Sequence, residues 1–176
     1  VLQMIATETM VYTLYTDKSI QILKAEDIGQ MVMDNKSAGE IVAMALTGSQ
    51  LWVADTKGIV QILNADTLKP EEGEELKTVY GHPAVSMASS SDGTLVAVGD
   101  TKGYVTIFDA ASRSQKNYLA PHQNKVLEIQ FTSDNRVMTI GFDKLLCLSS
   151  PENSQGQKLS CPNGVAMTNS FCILKD

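Results

Sequence analysis

Apolar residues along the chain fall in short runs of roughly four to seven, rich in Val, Ile and Leu. Turn signals such as Asp92-Gly93 and Ser133-Asp134-Asn135 close these runs. Thr94 to Gly99 is almost continuously apolar and has no helical period, which fits an inner strand covered on both faces. No amphipathic helix of about ten residues or more can be traced. The pattern predicts an all-β chain.

Self-comparison organises the strands. Asp55-Thr56-Lys57-Gly58 recurs unchanged as Asp100-Thr101-Lys102-Gly103, and the flanks match: Leu51 to Ala54 with Val96 to Gly99, and Ile59 to Ile62 with Tyr104 to Ile107. A looser copy runs from Val137 through Phe142-Asp143-Lys144 to Leu148. Another runs from Val11 through Thr16-Asp17-Lys18 to Leu23. Repeats of about 40 to 45 residues, each carrying several short strands, point to a β-propeller. The expected organisation is one propeller segment over 1–176. Its four-stranded blades lie near 1–36, 37–80, 81–120 and 121–161, with a partial blade of two strands over 162–176. A half-blade leaves unpaired edges. The chain is therefore expected to be part of a larger ring, or to complete its ring with a second copy.

Composition narrows the function classes. The net charge of −6 over 176 residues is the wrong sign for a chain that neutralises phosphates, so nucleic acid is not the expected partner. No apolar run reaches the roughly 18 residues of a membrane span, and no basic n-region with an apolar h-region opens the chain. The three cysteines, Cys147, Cys161 and Cys172, lack C-x-x-C spacing, and Cys147 and Cys172 have apolar neighbours. They read as buried reduced thiols, and the expected compartment is the cytoplasm.

Enzyme signatures are missing: there is no G-x-S-x-G, no H-E-x-x-H, no P-loop and no metal-ligand cluster. No catalytic residue, cofactor or metal is therefore expected. Trp52, within an apolar strand, reads as core, and the eight methionines as core filler. Pro70-Glu71-Glu72-Gly73-Glu74-Glu75 reads as a solvated, mobile acidic loop. Lys57, Lys102 and Lys144 stand in or beside equivalent turns of three blades. They are expected on one face, as a basic patch suited to an acidic partner surface.

Tyr80-Gly81-His82, Val85 to Ser89, Ser91-Asp92-Gly93, Leu95 to Gly99 and Ile107-Phe108-Asp109 resemble one WD40 repeat. Pro121-His122, Val126 to Phe131, Ser133-Asp134-Asn135, Val137 to Gly141 and Asp143-Lys144 resemble a second. The resemblance implies a histidine–aspartate tie between connector and turn. His122 with Asp143 could form it, and Asp17 stands at the same turn position. His82 faces Lys102 where the aspartate is expected. Two histidines at one repeat position imply scaffolding rather than a joint site.

The succession from Leu51 to Asp143 is similar to the second propeller of the actin-interacting protein 1 family. That resemblance implies actin-filament binding and cofilin-assisted filament disassembly, at the actin cytoskeleton. The alternative is a generic WD40 scaffold subunit of a trafficking or signalling complex. The binding face expected on either reading holds Lys57, His82, Lys102, Tyr104, His122, Lys125 and Lys144.

Overall fold

A computed structural model describes residues 1–27, 31–35, 40–73 and 75–160, apart from the side chains of 31–35 and 154–160. The expected partial blade, with Cys161 and Cys172, lies outside the described residues. Four antiparallel four-stranded sheets follow one another along the chain. The first joins β1 (Gln3–Ala6), β2 (Met10–Leu14), β3 (Ile20–Lys24) and β4 (Met31–Asn35); the second joins β5 (Ile41–Thr47), β6 (Gln50–Asp55), β7 (Ile59–Asn64) and β8 (Leu76–Lys77). The third holds β9 (Ala84–Ser89), β10 (Leu95–Asp100), β11 (Val105–Asp109) and β12 (Ser114–Leu119). The fourth holds β13 (Val126–Phe131), β14 (Val137–Gly141), β15 (Leu145–Ser150) and β16 (Asn153–Ser160). The helical content among the described residues is one 3-10 turn, Val79–Gly81.

Alternation along the second strand of a sheet explains both the apolar runs and the stacking. On β6, Leu51 and Val53 pack with Leu14, Ile20 and Ile22 of the first sheet. Trp52 and Ala54, facing the other way, pack with Val96, Val98 and Phe108 of the third. On β10 the roles repeat: Val96 and Val98 face the second sheet, while Leu95 and Ala97 meet Val126, Ile129 and Val137 of the fourth. Successive side chains of a strand point to opposite faces, so a strand serving two interfaces must be apolar throughout. All six residues of β10 are buried. Trp52 is fully buried against Phe108, with ring centroids 5.8 Å apart, and its Nε1 donates to Gln50 Oε1 at 3.1 Å.

The first strands of the sheets stand side by side at the inner edge of the stack and border an open cavity of about 620 Å³. Side chains stitch them together. Gln3 Nε2 donates to Met44 O while Met44 N donates to Gln3 Oε1, both at 2.7 Å, so one amide side chain imitates a strand partner. Ser86 Oγ donates to Val126 O at 3.0 Å.

The acidic connection between β7 and β8 is tied down rather than freely mobile. Pro70 bridges Leu63, Arg113 of the third sheet pairs with Glu71, and its Nη1 donates to Glu72 O at 3.3 Å. Glu72, Gly73 and Glu75 remain exposed. An arginine reaching over from the neighbouring sheet is not visible in a local run of glutamates.

Trp52→Ala removes the largest buried ring shared by two sheets and should cost about 3–5 kcal/mol, read as a lower urea midpoint. Turns on the other edge of the sheets hold depressed carboxyls. Asp92 accepts from Ser90 Oγ, from the Thr94 amide and hydroxyl, and from Asn135, which hold its carboxyl far below the usual range. Bonds from Ser112 lower the carboxyl of Asp109, and those from Thr132 and Arg136 lower that of Asp134. A carboxyl depressed in the folded state stabilises above its unfolded pKa of about 3.9, and that contribution drains away as pH falls below it. Urea midpoints should therefore drop between roughly pH 5 and pH 2, and Asp92→Asn should flatten that limb.

Candidate functional site

Antiparallel order places two kinds of segment on one edge of the stack: the turn between second and third strands, and the connector entering each sheet. These turns are Tyr15-Thr16-Asp17-Lys18, Asp55 to Gly58, Asp100 to Gly103 and Gly141-Phe142-Asp143-Lys144. In three of them the second residue donates its amide to the connector of its own sheet. The pairs are Thr56 to Glu40 O (3.2 Å), Thr101 to Pro83 O (3.0 Å) and Phe142 to Lys125 O (2.9 Å). The fourth residue receives the next connector: Thr78 N donates to Gly58 O at 2.8 Å and His122 N to Gly103 O at 3.3 Å. That fourth position is left-handed in every sheet, at φ 69° in Lys18, 77° in Gly58, 94° in Gly103 and 67° in Lys144. At Gly103 a Cβ would lie 2.3 Å from His122 O, so backbone conformation and close approach both require glycine.

His122 is a fastener. Its Nδ1 lies 2.9 Å from Asp143 Oδ1 and its Nε2 2.9 Å from Thr139 Oγ1, and its side chain is 0% exposed. The absence of a Cβ at Gly141 makes room for the ring, since a Cβ there would sit 2.3 Å from Nδ1. Asp143 also accepts from the Gln123 and Leu145 amides. The expectation that His122 presents itself to a partner is corrected by this burial.

In the third sheet the same task is done differently. Lys102 does hold the turn position of Asp143, but Asp100, two residues earlier and fully buried, supplies the carboxylate. Its Oδ2 lies 3.1 Å from His82 Nδ1, while its Oδ1 accepts from the Lys102 and Tyr104 amides at 2.7 and 3.0 Å. Asp100 occupies the place of Gly141, so His82 cannot sink inward, and 27% of its side chain stays exposed. Asp55 repeats the turn bonds, accepting from Lys57 and Ile59 at 2.8 Å, and Asp17 accepts from the amide and hydroxyl of Ser19.

Lys57, Lys102 and Lys144 are all exposed on this edge; Lys57 and Lys102 are equivalent, and Lys144 stands one place further on. Lys125 is half-buried, with Nζ 4.8 Å from the centroid of the exposed Phe142 ring. Tyr104 belongs to a group that sequence reading did not find. Tyr80, Tyr104 and Tyr118, three of the chain's five tyrosines, gather with His82 on this edge. They come from a connector, a turn and an outer strand, so no spacing along the chain announces them.

Among the described residues no group of His, Cys, Asp and Glu could hold a metal, and no helix is long and apolar enough to cross a membrane. Cys147 is buried, its thiol donating to Pro121 O at 3.4 Å.

No protein-family profile matches the chain. A WD repeat-containing protein 91 homolog from Dictyostelium discoideum is 39% identical over 89 residues, which is 50% of this chain and 11% of that protein. The structure of U3-55K superposes with a TM-score of 0.78 at 17% identity, over 89% of this chain and 50% of that one. The WD40 β-propeller domain of Doa1 superposes with a TM-score of 0.75 at 13% identity, over 90% of this chain and 53% of that one. The chain thus spans about a tenth of this curated relative and about half of each solved structure. Sheet order, recurring turns and connector ties agree with these superpositions: the chain has the WD40 β-propeller fold.

Proposed function

We propose that residues 1–176 form one propeller segment that acts in the cytoplasm by binding proteins, not by making or breaking bonds. The edge carrying the connectors and the turns between second and third strands is its docking face. The observation that carries this reading is the solvent-facing ring cluster of Tyr80, His82, Tyr104 and Tyr118, with Tyr80 at 66% exposure. Exposed aromatic side chains on a rigid support are the usual anchors of protein interfaces. Lys57, Lys102 and Lys144 are exposed on the turns of the second, third and fourth sheets, and Lys125 and Phe142 extend the face across the fourth sheet.

Two narrower readings share this face. One is binding to actin filaments with cofilin-assisted disassembly, which rests on the resemblance of Leu51 to Asp143. The other is a scaffold subunit of a trafficking or signalling complex; the curated relative supports the WD repeat that both readings share. Co-sedimentation with actin filaments, with and without cofilin and at two salt concentrations, separates them. The actin reading expects pelleting that rises with cofilin, loss of filament mass, and a roughly tenfold weaker association for Tyr80→Gly. The scaffold reading expects the folded chain to stay in the supernatant in every condition.

A further inference from the structure

The ring cluster is a platform, not a cage. Tyr80 meets Tyr104 edge-on with centroids 5.3 Å apart and Tyr118 at 6.0 Å; His82 lies 5.9 Å from Tyr80 and 5.7 Å from Tyr104. Rings this close lean on one another, so a cation cannot enter between them, and the surface on offer is the outer side of Tyr80 and Tyr118. Tyr118 is 40% exposed. The backbone holds Tyr80 in this position at a cost. Its φ of 60° and ψ of 8° are left-handed, a conformation that disfavours a residue with a Cβ by roughly 1–2 kcal/mol. Bonds on both sides enforce it: Gly81 N to Thr78 O at 2.8 Å, Val79 N to Thr106 Oγ1 at 2.8 Å and Thr78 Oγ1 to His82 O at 2.6 Å. Lys18, Leu68, Arg113, Asn135 and Lys144 share a left-handed φ, but at Tyr80 it holds an aromatic ring out in water.

Charge around the platform is sorted by direction. Asp55, half-buried, and Asp100, fully buried, are the carboxylates of the two neighbouring turns and accept their own turn amides. Lys57 and Lys102 of those same turns are exposed. Lys57 and Lys102 thus present outward positive charge on the two turns beside the rings, on a chain whose net charge is −6. Exposed carboxylates such as Asp66, Asp92 and Asp134 lie in turns at the opposite edge of the sheets; on this edge Asp17 accepts from Ser19 in the first sheet and Glu40 accepts from Thr56 Oγ1 in the second.

We propose that the Tyr80 platform docks an acidic segment of a partner protein, in which carboxylates flank an apolar or aromatic side chain. The apolar side chain covers Tyr80 and Tyr118, and the carboxylates reach Lys57 and Lys102. Their attraction to the lysines is partly opposed by the acidic remainder of the chain, which restricts such a segment to this edge. The inference rests on the docking face proposed above.

Three short fluorescein-labelled peptides of one length test it by fluorescence polarisation with the full chain. One has Asp and Glu flanking a Phe-Leu pair, one has Asn and Gln in their place, and one has Lys. The acidic peptide should bind at least about tenfold tighter than the amide peptide, with an affinity that falls as salt rises. Tyr80→Gly removes the ring where glycine takes the left-handed backbone without strain, so the fold survives, and should weaken binding by about tenfold or more. Lys102→Gln should weaken it and flatten the salt dependence, whereas Lys24→Gln, at the opposite edge, should change nothing. Equal binding of acidic and amide peptides, both abolished by Tyr80→Gly, would sink the acidic segment and leave the docking face intact. Binding indifferent to Tyr80→Gly, or none by any peptide to the folded chain, overturns the platform itself.

Discussion

The fold depends on one constraint: the second strand of an interior sheet lies between two neighbours and has no solvent face. On β6 and β10 odd and even residues feed different interfaces, as Trp52 and Val53 do in turning to opposite sheets. No sheet can therefore bury its apolar residues alone, and stability is a property of adjacent pairs, as in other repeat architectures. The same constraint explains why the strands look unlike the alternating strands of a one-sided sheet. It also leaves the edges, where turns and connectors escape the stack, as the place where side chains stay exposed.

The connector edge is fixed by a second device that works in two versions. In the fourth sheet, Gly141 opens room for His122 to bury itself between Asp143 and Thr139. In the third, a carboxylate stands where that glycine would be, and the histidine is held at the surface. Both versions tie connector to turn, so both serve stacking. Only the second leaves an imidazole in contact with aromatic neighbours. Asp100 for Gly141, Lys102 for Asp143 and Val98 for Thr139 together separate the buried fastener from the histidine of the exposed ring cluster. The duplicated turn Asp-Thr-Lys-Gly belongs to the second version, which is why Asp55 and Asp100 make the same bonds to their turns.

Much of this was legible in the sequence because it is local or periodic. Repeats marked the turns at 55 and 100, continuous apolarity marked β10, and the mid-strand placement of Trp52 marked it as core. The carboxylate that meets His82 was not legible, because alignment to the His122 repeat pointed to Lys102, and the substitute acts from two residues away. Tyr80 and Tyr118 escaped for a different reason. Each is unremarkable in its own segment: the connector tied by Thr78 to Gly58 brings Tyr80 beside Tyr104, and the pairing of β11 with β12 brings Tyr118 there. The acidic loop looked free because the cation that holds Glu71 comes from Arg113, more than a strand pair away along the chain.

These two devices together bear on binding. A surface loses affinity when its side chains and loops must be ordered on contact. Here the turns are already closed on their own aspartates, and the backbone on either side of Tyr80 is tied by bonds from Gly81 to Thr78, from Val79 to Thr106 and from Thr78 to His82. The exposed lysines Lys57 and Lys102 act at longer range and need less order. The proposed docking face thus sets a tied aromatic centre beside exposed charge. The stack that leaves β6 and β10 no solvent face is what makes that rigidity available at the edge.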